Sequence, residues 1–284
     1  MSFHPSPGKP RLKLPPGACD THFHVFGPQS RFPFSPDRTY TPEGDAPKEK
    51  LFALHQHLGI ERGVVVQSAA HGFDNSAASD LIAAKKDRYV GVALVPPTLP
   101  MGEIKSLDKQ GFRGARFHFT RHLGTTAPIE SVMKFAAKVA DLGWHLQIHY
   151  IGDMLPELAP HLQRSPVPVV IDHMGRVDAS AGLEQQPFTD LLSLLKNRNF
   201  WVKVSGSERI SKQPAPWQDA WPFGRKLVEE LGDRVLWGTD WPHPNLKEVP
   251  DDGMLVDILE QIAPGEAERR ALLVDNPRRF YRFP

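Results

Sequence analysis

Eight short β-rich apolar runs, helical spacing between them and a length of 284 residues predict a (β/α)8 barrel for this sequence. The first run, ACDTHFHVF (18–26), leads into a connection rich in Pro, Phe and Arg (27–47), which is expected to cover one mouth of the barrel. KEKLFALHQHLGI (48–60) then has helical spacing. RGVVVQ (62–67) is followed by helical NSAASDLIAAKK (75–86), and YVGVALV (89–95) by FRGARFHF (112–119). ESVMKFAAKVADLG (130–143) separates the latter from WHLQIHY (144–150). VPVVIDH (167–173) precedes FTDLLSLLKN (188–197), in which Leu191, Leu194 and Leu195 form an i, i+3, i+4 stripe. FWVKVSG (200–206) and RVLWGTD (234–240) complete the eight. Strand followed by helix, repeated, implies a parallel sheet with crossover connections. A doubly wound open sheet is the alternative fold. Residues 1–17, rich in Pro, are expected to form an extended arm, and 18–284 a single distorted barrel domain, since no composition shift marks a boundary.

Composition narrows the partners. Lys plus Arg number 34 against 33 for Asp plus Glu, a net charge of +1, so nothing points to nucleic acid or an anionic membrane. The single cysteine, Cys19, excludes a disulfide within the chain and suits a reducing compartment. The N-terminal stretch has no apolar core of a signal peptide, and no run approaches membrane-spanning length. A cytoplasmic location is the expectation; oligomeric state is open.

In such a barrel, chemistry sits at the C-terminal ends of the strands. Polar side chains recur at those ends: His22 and His24, Arg116 and His118, His149, Asp172 and His173, and Asp240. His22 and His24 share strand parity, so both imidazoles are expected to face inward. A histidine pair of this kind is often merely a hydrogen-bonded feature, and an Asp such as Asp240 often merely a turn residue; convergence from several strands is what argues for a site. Read as metal chemistry, His22, His24, His149 and Asp240 offer three nitrogens and one oxygen to one Zn²⁺. His173 would then be a base or a carbonyl polariser. Read without metal, Asp240 deprotonates water while the histidines stabilise the oxyanion. Arg116, Arg121 and Arg209 near one mouth fit a multiply anionic substrate, with internal salt bridges as the plainer explanation.

The motifs DTHFHVFGP, RFPFSP, GFRGARFHF, VIDHMGR and GTDWPHPN, spread from residue 18 to NPRRFY near the end, resemble the amidohydrolase superfamily, and within it the branch of lactonases that open 2-pyrone-4,6-dicarboxylate. H-x-H alone would mark the superfamily; IDHMGR with GTDWPHPN marks this branch. The resemblance implies hydrolysis of a lactone ester, with Asp240 activating water and His22, His24 and His173 around the carbonyl. It implies that Tyr40, Ser68, Arg116, Arg209 and Asn245 hold the carboxylates and ring, and that the reaction needs no metal. The chain departs from the branch at two places. His149 stands where a strand-five tyrosine is expected, restoring a ligand position of metal-dependent members. His122 aligns with a second substrate arginine, with Arg121 one position earlier. GARFHF lacks the strand-four Lys or Glu that bridges two metals in some members, so no binuclear centre is expected.

The reading is a hydrolase that opens an anionic lactone ring, 2-pyrone-4,6-dicarboxylate or a close relative, by Asp-activated water. It leaves open a cofactor of none or one divalent metal, Zn²⁺ by its donor set. The alternatives are a zinc-dependent lactonase of the sulfomuconolactone or sugar-lactone type, a metal-dependent decarboxylase of the same superfamily, and a non-catalytic barrel that binds an organic acid.

Overall fold

The computed structural model describes residues 3–120 and 127–283. Arg121 and His122 therefore lie outside the described residues. The chain alternates β1 (Cys19–Phe23), α1 (Lys48–Leu58), β2 (Arg62–Val66), α2 (Ser76–Ala84), β3 (Tyr89–Leu94), α3 (Met101–Lys109), β4 (Phe112–Phe119) and α4 (Ile129–Val139). It continues through β5 (His145–Tyr150), α5 (Leu155–Leu162), β6 (Val169–Ile171), α6 (Gln186–Leu195), β7 (Phe200–Lys203), α7 (Ser207–Ile210), α8 (Trp221–Leu231) and β8 (Val235–Leu236), before α9 (Asp252–Asp257) and further short helices. All paired strands are parallel and lie in chain order, β1 to β8. This is the (β/α)8 order, and the open-sheet alternative falls away.

Strands buried on both faces explain why the runs are continuously apolar. Outward residues such as Ala115, Phe117 and Phe119 join the core beneath the helices, where Phe117 meets Phe135 of α4 at 5.4 Å between ring centroids. Inward residues Cys19, Val64, Val66, Val90, Val92, Val170, Trp201 and Leu236 form a separate apolar plug, closed below by Tyr281. Above it the inward rows turn polar. On β4 and β5 the register pairs Gly114 with His145, Arg116 with Gln147 and His118 with His149. The barrel interior is thus apolar at one end and polar at the other, and the polar end carries the strand C-termini.

β8 and β1 meet with little regular ladder, yet their backbones bond. Thr21 N donates to Trp237 O (2.9 Å), Asp240 N to His22 O (2.7 Å) and His24 N to Trp241 O (2.7 Å). Asp20 clamps the same seam, accepting from Thr239 N (3.1 Å) and Thr239 Oγ1 (2.6 Å). That makes Asp20, two residues before His22 in CDTHFH, a fastening rather than a reactive group. β6 and β8 stop earlier than their apolar runs because the backbone turns at His173 (φ 48°) and Asp240 (φ 64°), both left-handed.

Residues 3–17 form no helix or strand. Gly8 N donates to Asp251 (2.9 Å to Oδ1), Arg11 N and Leu12 N to Asp257 Oδ1 (2.8 and 3.0 Å), and Phe3 packs on Trp241. No helix among the described residues is long and apolar enough to cross a membrane.

Gly238 tests the seam. A Cβ there would lie 2.4 Å from the backbone nitrogen of His22 and 2.8 Å from Asp20 Oδ1. Gly238→Ala must part β8 from β1, and it is expected to lower unfolding free energy by about 1–3 kcal/mol in urea titration. An unchanged midpoint would show that the seam yields freely.

Candidate active site

The focus of the polar end is one oxygen. Asp240 Oδ1 lies 3.3 Å from His24 Nε2, 3.6 Å from His22 Nε2 and 3.8 Å from His173 Nε2. Its partner Oδ2 accepts from Arg209 Nε, and the Arg209 terminal nitrogens each lie 3.2 Å from Pro244 O. Burial alone would raise this carboxyl, but Arg209 and the imidazoles hold it well below the usual carboxylate range. Asp240 is therefore an anion in an almost dry setting, with one oxygen spoken for and the other ringed by imidazole nitrogens.

Each ring is fixed from its far side. His24 Nδ1 donates to Val66 O at 2.7 Å. His173 Nδ1 lies 3.0 Å from Ser205 Oγ. His22, fully buried, has its Nδ1 3.2 Å from Lys203 Nζ and 3.3 Å from Asp172 Oδ1. Lys203 also donates to Thr21 O (2.8 Å) and Gln147 Oε1 (2.9 Å). Asp172 Oδ2 accepts from Arg116 Nε at 2.9 Å. Burial lowers the His22 imidazole well below its ordinary value, aided by Lys203, and pushes His173 down to about 3. It also drives the Lys203 ammonium down to about 8. The layer beneath the site is thus a buried polar network, with His22 Nε2, Gln147 Nε2 and Asp172 Oδ1 left without a hydrogen-bond partner among the described residues.

Above it opens a cavity of about 220 Å³. Of the residues expected from sequence, Tyr40, Ser68, Arg116, His149, His173, Arg209, Asp240 and Asn245 line it, together with His24. His22 lies under the floor rather than on the wall. Tyr40 bonds to Ser68 Oγ and comes from the 27–47 connection, which does cover this mouth. Burial pushes the Tyr40 hydroxyl up to about 12, so it stays a hydrogen-bonding group. Arg116 and Arg209 are salt-bridged internally, to Asp172 and Asp240, and also line the cavity.

The expected four-residue metal set is gathered only in part. His22, His24 and Asp240 each bring one ligand atom within 4.8 Å of the others, as do His22, Asp172 and His173. His149 belongs to neither group: register sets it opposite His118, with Nδ1 to Nδ1 3.3 Å apart. The first group suits a divalent cation on a simple ground. With Nδ1 of His24 donating to a carbonyl, the neutral ring presents a lone pair at Nε2 to a carboxylate oxygen 3.3 Å away. Two acceptors at that distance need a proton or a metal ion between them.

Several lining residues escaped the sequence reading. Arg176 projects from the turn after β6 and, among the described residues, has no carboxylate within 4.0 Å; burial lowers it to about 10. Glu208 also lines the cavity, as does His118, which the sequence reading placed at the end of strand four. A signal existed for Arg176, which ends IDHMGR, and for the buried Lys203 beneath the cavity, which FWVKVSG places on the inward parity of a strand.

Left-handed backbone clusters at this mouth: His173, Arg176, Asp240, His243 and Asn245 all have φ between 48° and 64°. Non-glycine residues rarely adopt it, and such outliers gather where function fixes a geometry.

The amidohydrolase family profile matches residues 19–283. The 2-pyrone-4,6-dicarboxylate hydrolase of Comamonas testosteroni is 44% identical over 99% of this chain and 95% of its own length. The 4-sulfomuconolactone hydrolase of Hydrogenophaga intermedia is 39% identical, over 95% and 90%. Among solved structures, the probable 2-pyrone-4,6-dicarboxylic acid hydrolase of Acinetobacter baumannii, with citric acid bound, superposes with a TM-score of 0.85 at 28% identity, covering 94% of this chain and all of that one. The eight-stranded barrel, the Asp240-centred cluster and these relatives agree, and the chain belongs to the amidohydrolase family.

Proposed function

We propose that this protein is a lactonase that hydrolyses an anionic, unsaturated lactone, 2-pyrone-4,6-dicarboxylate or a close relative. The observation that carries the reading is the presence, on one small cavity, of a buried, ionised carboxylate, Asp240, and of a cation, Arg176, with no carboxylate within 4.0 Å among the described residues. The relatives named for hydrolysing a pyrone dicarboxylate and a sulfomuconolactone support it.

Water bound at Asp240 Oδ1 gives its proton to that carboxylate as the water oxygen attacks the lactone carbon. Arg209 on Oδ2 keeps the carboxylate aimed at the water. The developing oxyanion meets His173, whose imidazole burial keeps neutral and which donates from Nε2 while Nδ1 accepts from Ser205 Oγ. The ring C–O bond then breaks, and the ring oxygen takes up the proton held by Asp240. Arg176 binds an acidic substituent, with Arg116, Ser68, Tyr40 and Asn245 positioned around the ring. His149 sits at the wall between His118 and His173. A divalent metal, if bound, is held by His22, His24 and Asp240 and supplies Lewis-acid polarisation of the carbonyl. The short approach of His24 to Asp240 favours this zinc-dependent variant as the second reading.

Asp240→Asn removes the proton acceptor, so kcat is expected to fall by about 10²–10⁴-fold with KM changed only severalfold. Near-normal turnover in a lactone panel would overturn the assignment. Arg176→Met is expected to raise KM for a dicarboxylate lactone by about 10–100-fold with kcat little altered. A third expectation concerns pH. His173 has a folded value near 3 and Asp240 lies below the carboxylate range, so neither changes state between about pH 5 and 7, and kcat should show no limb there. Stability should behave differently. In the unfolded chain His22, His145, His149 and His173 take up protons below about pH 6.5, whereas burial keeps them neutral in the fold, so the urea midpoint is expected to fall as pH drops through that window.

A further inference from the structure

The reaction above makes no use of Glu208, although it lines the cavity. It stands in α7, a single turn begun by Gly206 at φ 82°, where a Cβ would come 3.0 Å from the Cβ of His173. That close approach sets Glu208 and Arg209 side by side behind His173. The Glu208 side chain is 2% exposed, and neither Oε1 nor Oε2 has a hydrogen-bond partner. The nearest cation is Arg209, with Nε 3.7 Å from Oε1. That guanidinium is already committed to Asp240 and Pro244 O. The other charged or titratable groups facing Glu208 are Asp240 and His243 from the loop after β8, and Arg176 and His173 from the turn after β6. His243 is itself taken by Asp252 Oδ1 at 2.9 Å.

A buried carboxylate with no donor is costly, whereas a neutral carboxyl has one O–H to give. Nothing among the described residues receives that proton; Glu208 lines the active-site cavity on one side and a small space bounded by Ser205, Ser207 and Thr239 on the other, and the cavity is the side large enough to admit a partner. Charge balance points the same way. Among the cavity-lining cations Arg116 is matched by Asp172, which Lys203 below the cavity shares at 3.9 Å, and Arg209 by Asp240, while Arg176 has no carboxylate within 4.0 Å among the described residues. An ionised Glu208 would cancel the Arg176 charge, and a neutral one leaves the cavity positive for an anion.

We propose that Glu208 is a neutral hydrogen-bond donor whose O–H meets an anionic oxygen of the substrate's acidic substituent, making it a specificity-determining residue. This rests on the anionic-lactone reading. Burial raises the Glu208 carboxyl above its ordinary value against the pull of Arg209. A bound anion stabilises the protonated form further, so binding takes up a proton wherever free Glu208 has begun to ionise.

The test compares wild type, Glu208→Gln and Glu208→Ala in two assays, over about pH 6 to 9. One is hydrolysis of 2-pyrone-4,6-dicarboxylate. The other is calorimetric binding of isophthalate, an aromatic dicarboxylate with no ester to cleave, in buffers of differing ionisation enthalpy. KM of the wild type is expected to rise with pH. Glu208→Gln, which keeps a donor but not a titrating proton, should hold KM within about threefold and lose that rise, whereas Glu208→Ala should raise KM by about tenfold or more at every pH. Isophthalate should bind with proton uptake in wild type and without it in the Gln variant. Equal kinetics for Gln and Ala, uptake unchanged in the Gln variant, or a wild type showing neither the KM rise nor uptake would overturn the proposal. Should no lactone be opened while isophthalate binding still takes up a proton through Glu208, the lactonase reading fails and the donor role stands.

Discussion

Asp240 is where the structure's demands meet. Its backbone nitrogen bonds to His22 O and helps close the barrel, while its carboxylate collects Arg209 on one oxygen and three imidazoles on the other. Removing a carboxylate from water is costly unless charge and hydrogen bonds replace the lost hydration. Here the replacements come from β1, the turn after β6 and the turn after β7. The barrel must therefore close in correct register before this anion is tolerable. Fold and site are one constraint: the same few residues hold the first strand to the last and set the reactive group.

A second tier makes the first possible. Lys203, Asp172 and Gln147 lie below the histidines, fully or almost fully buried, and hold His22 from its Nδ1 side. Arg116 ties this tier to the cavity wall through Asp172. Such a network fixes ring orientation more tightly than apolar packing would. The plug beneath it is apolar, so the polar layer faces only upward.

Much of this was legible in the sequence. The apolar runs sit where the strands are, and the alternation of Gly114, Arg116 and His118 on β4 shows in the letters themselves. The lining by Tyr40, Ser68 and Asn245 came from motif resemblance, not periodicity. What escaped depends on angles that letters do not encode. The left-handed turn at His173 decides that Arg176 enters the cavity, and the single turn of α7 decides that Glu208 does. His149 lies on the expected strand and parity, yet cross-strand register turns its ring toward His118, away from the cluster it was expected to join. His22 has the right parity too, but depth along the strand sets it under the floor.

The bonds joining β1 to the loop after β8 link residues more than two hundred positions apart, as Thr21 Oγ1 to Trp237 O illustrates with a separation of 216. Contacts of that span carry a high loop-closure cost and form late. A chain emerging from the ribosome can build its middle β/α units while His22 and His24 still wait for Asp240. Chemical competence is therefore the last property this polypeptide acquires, arriving only when its two ends have found each other.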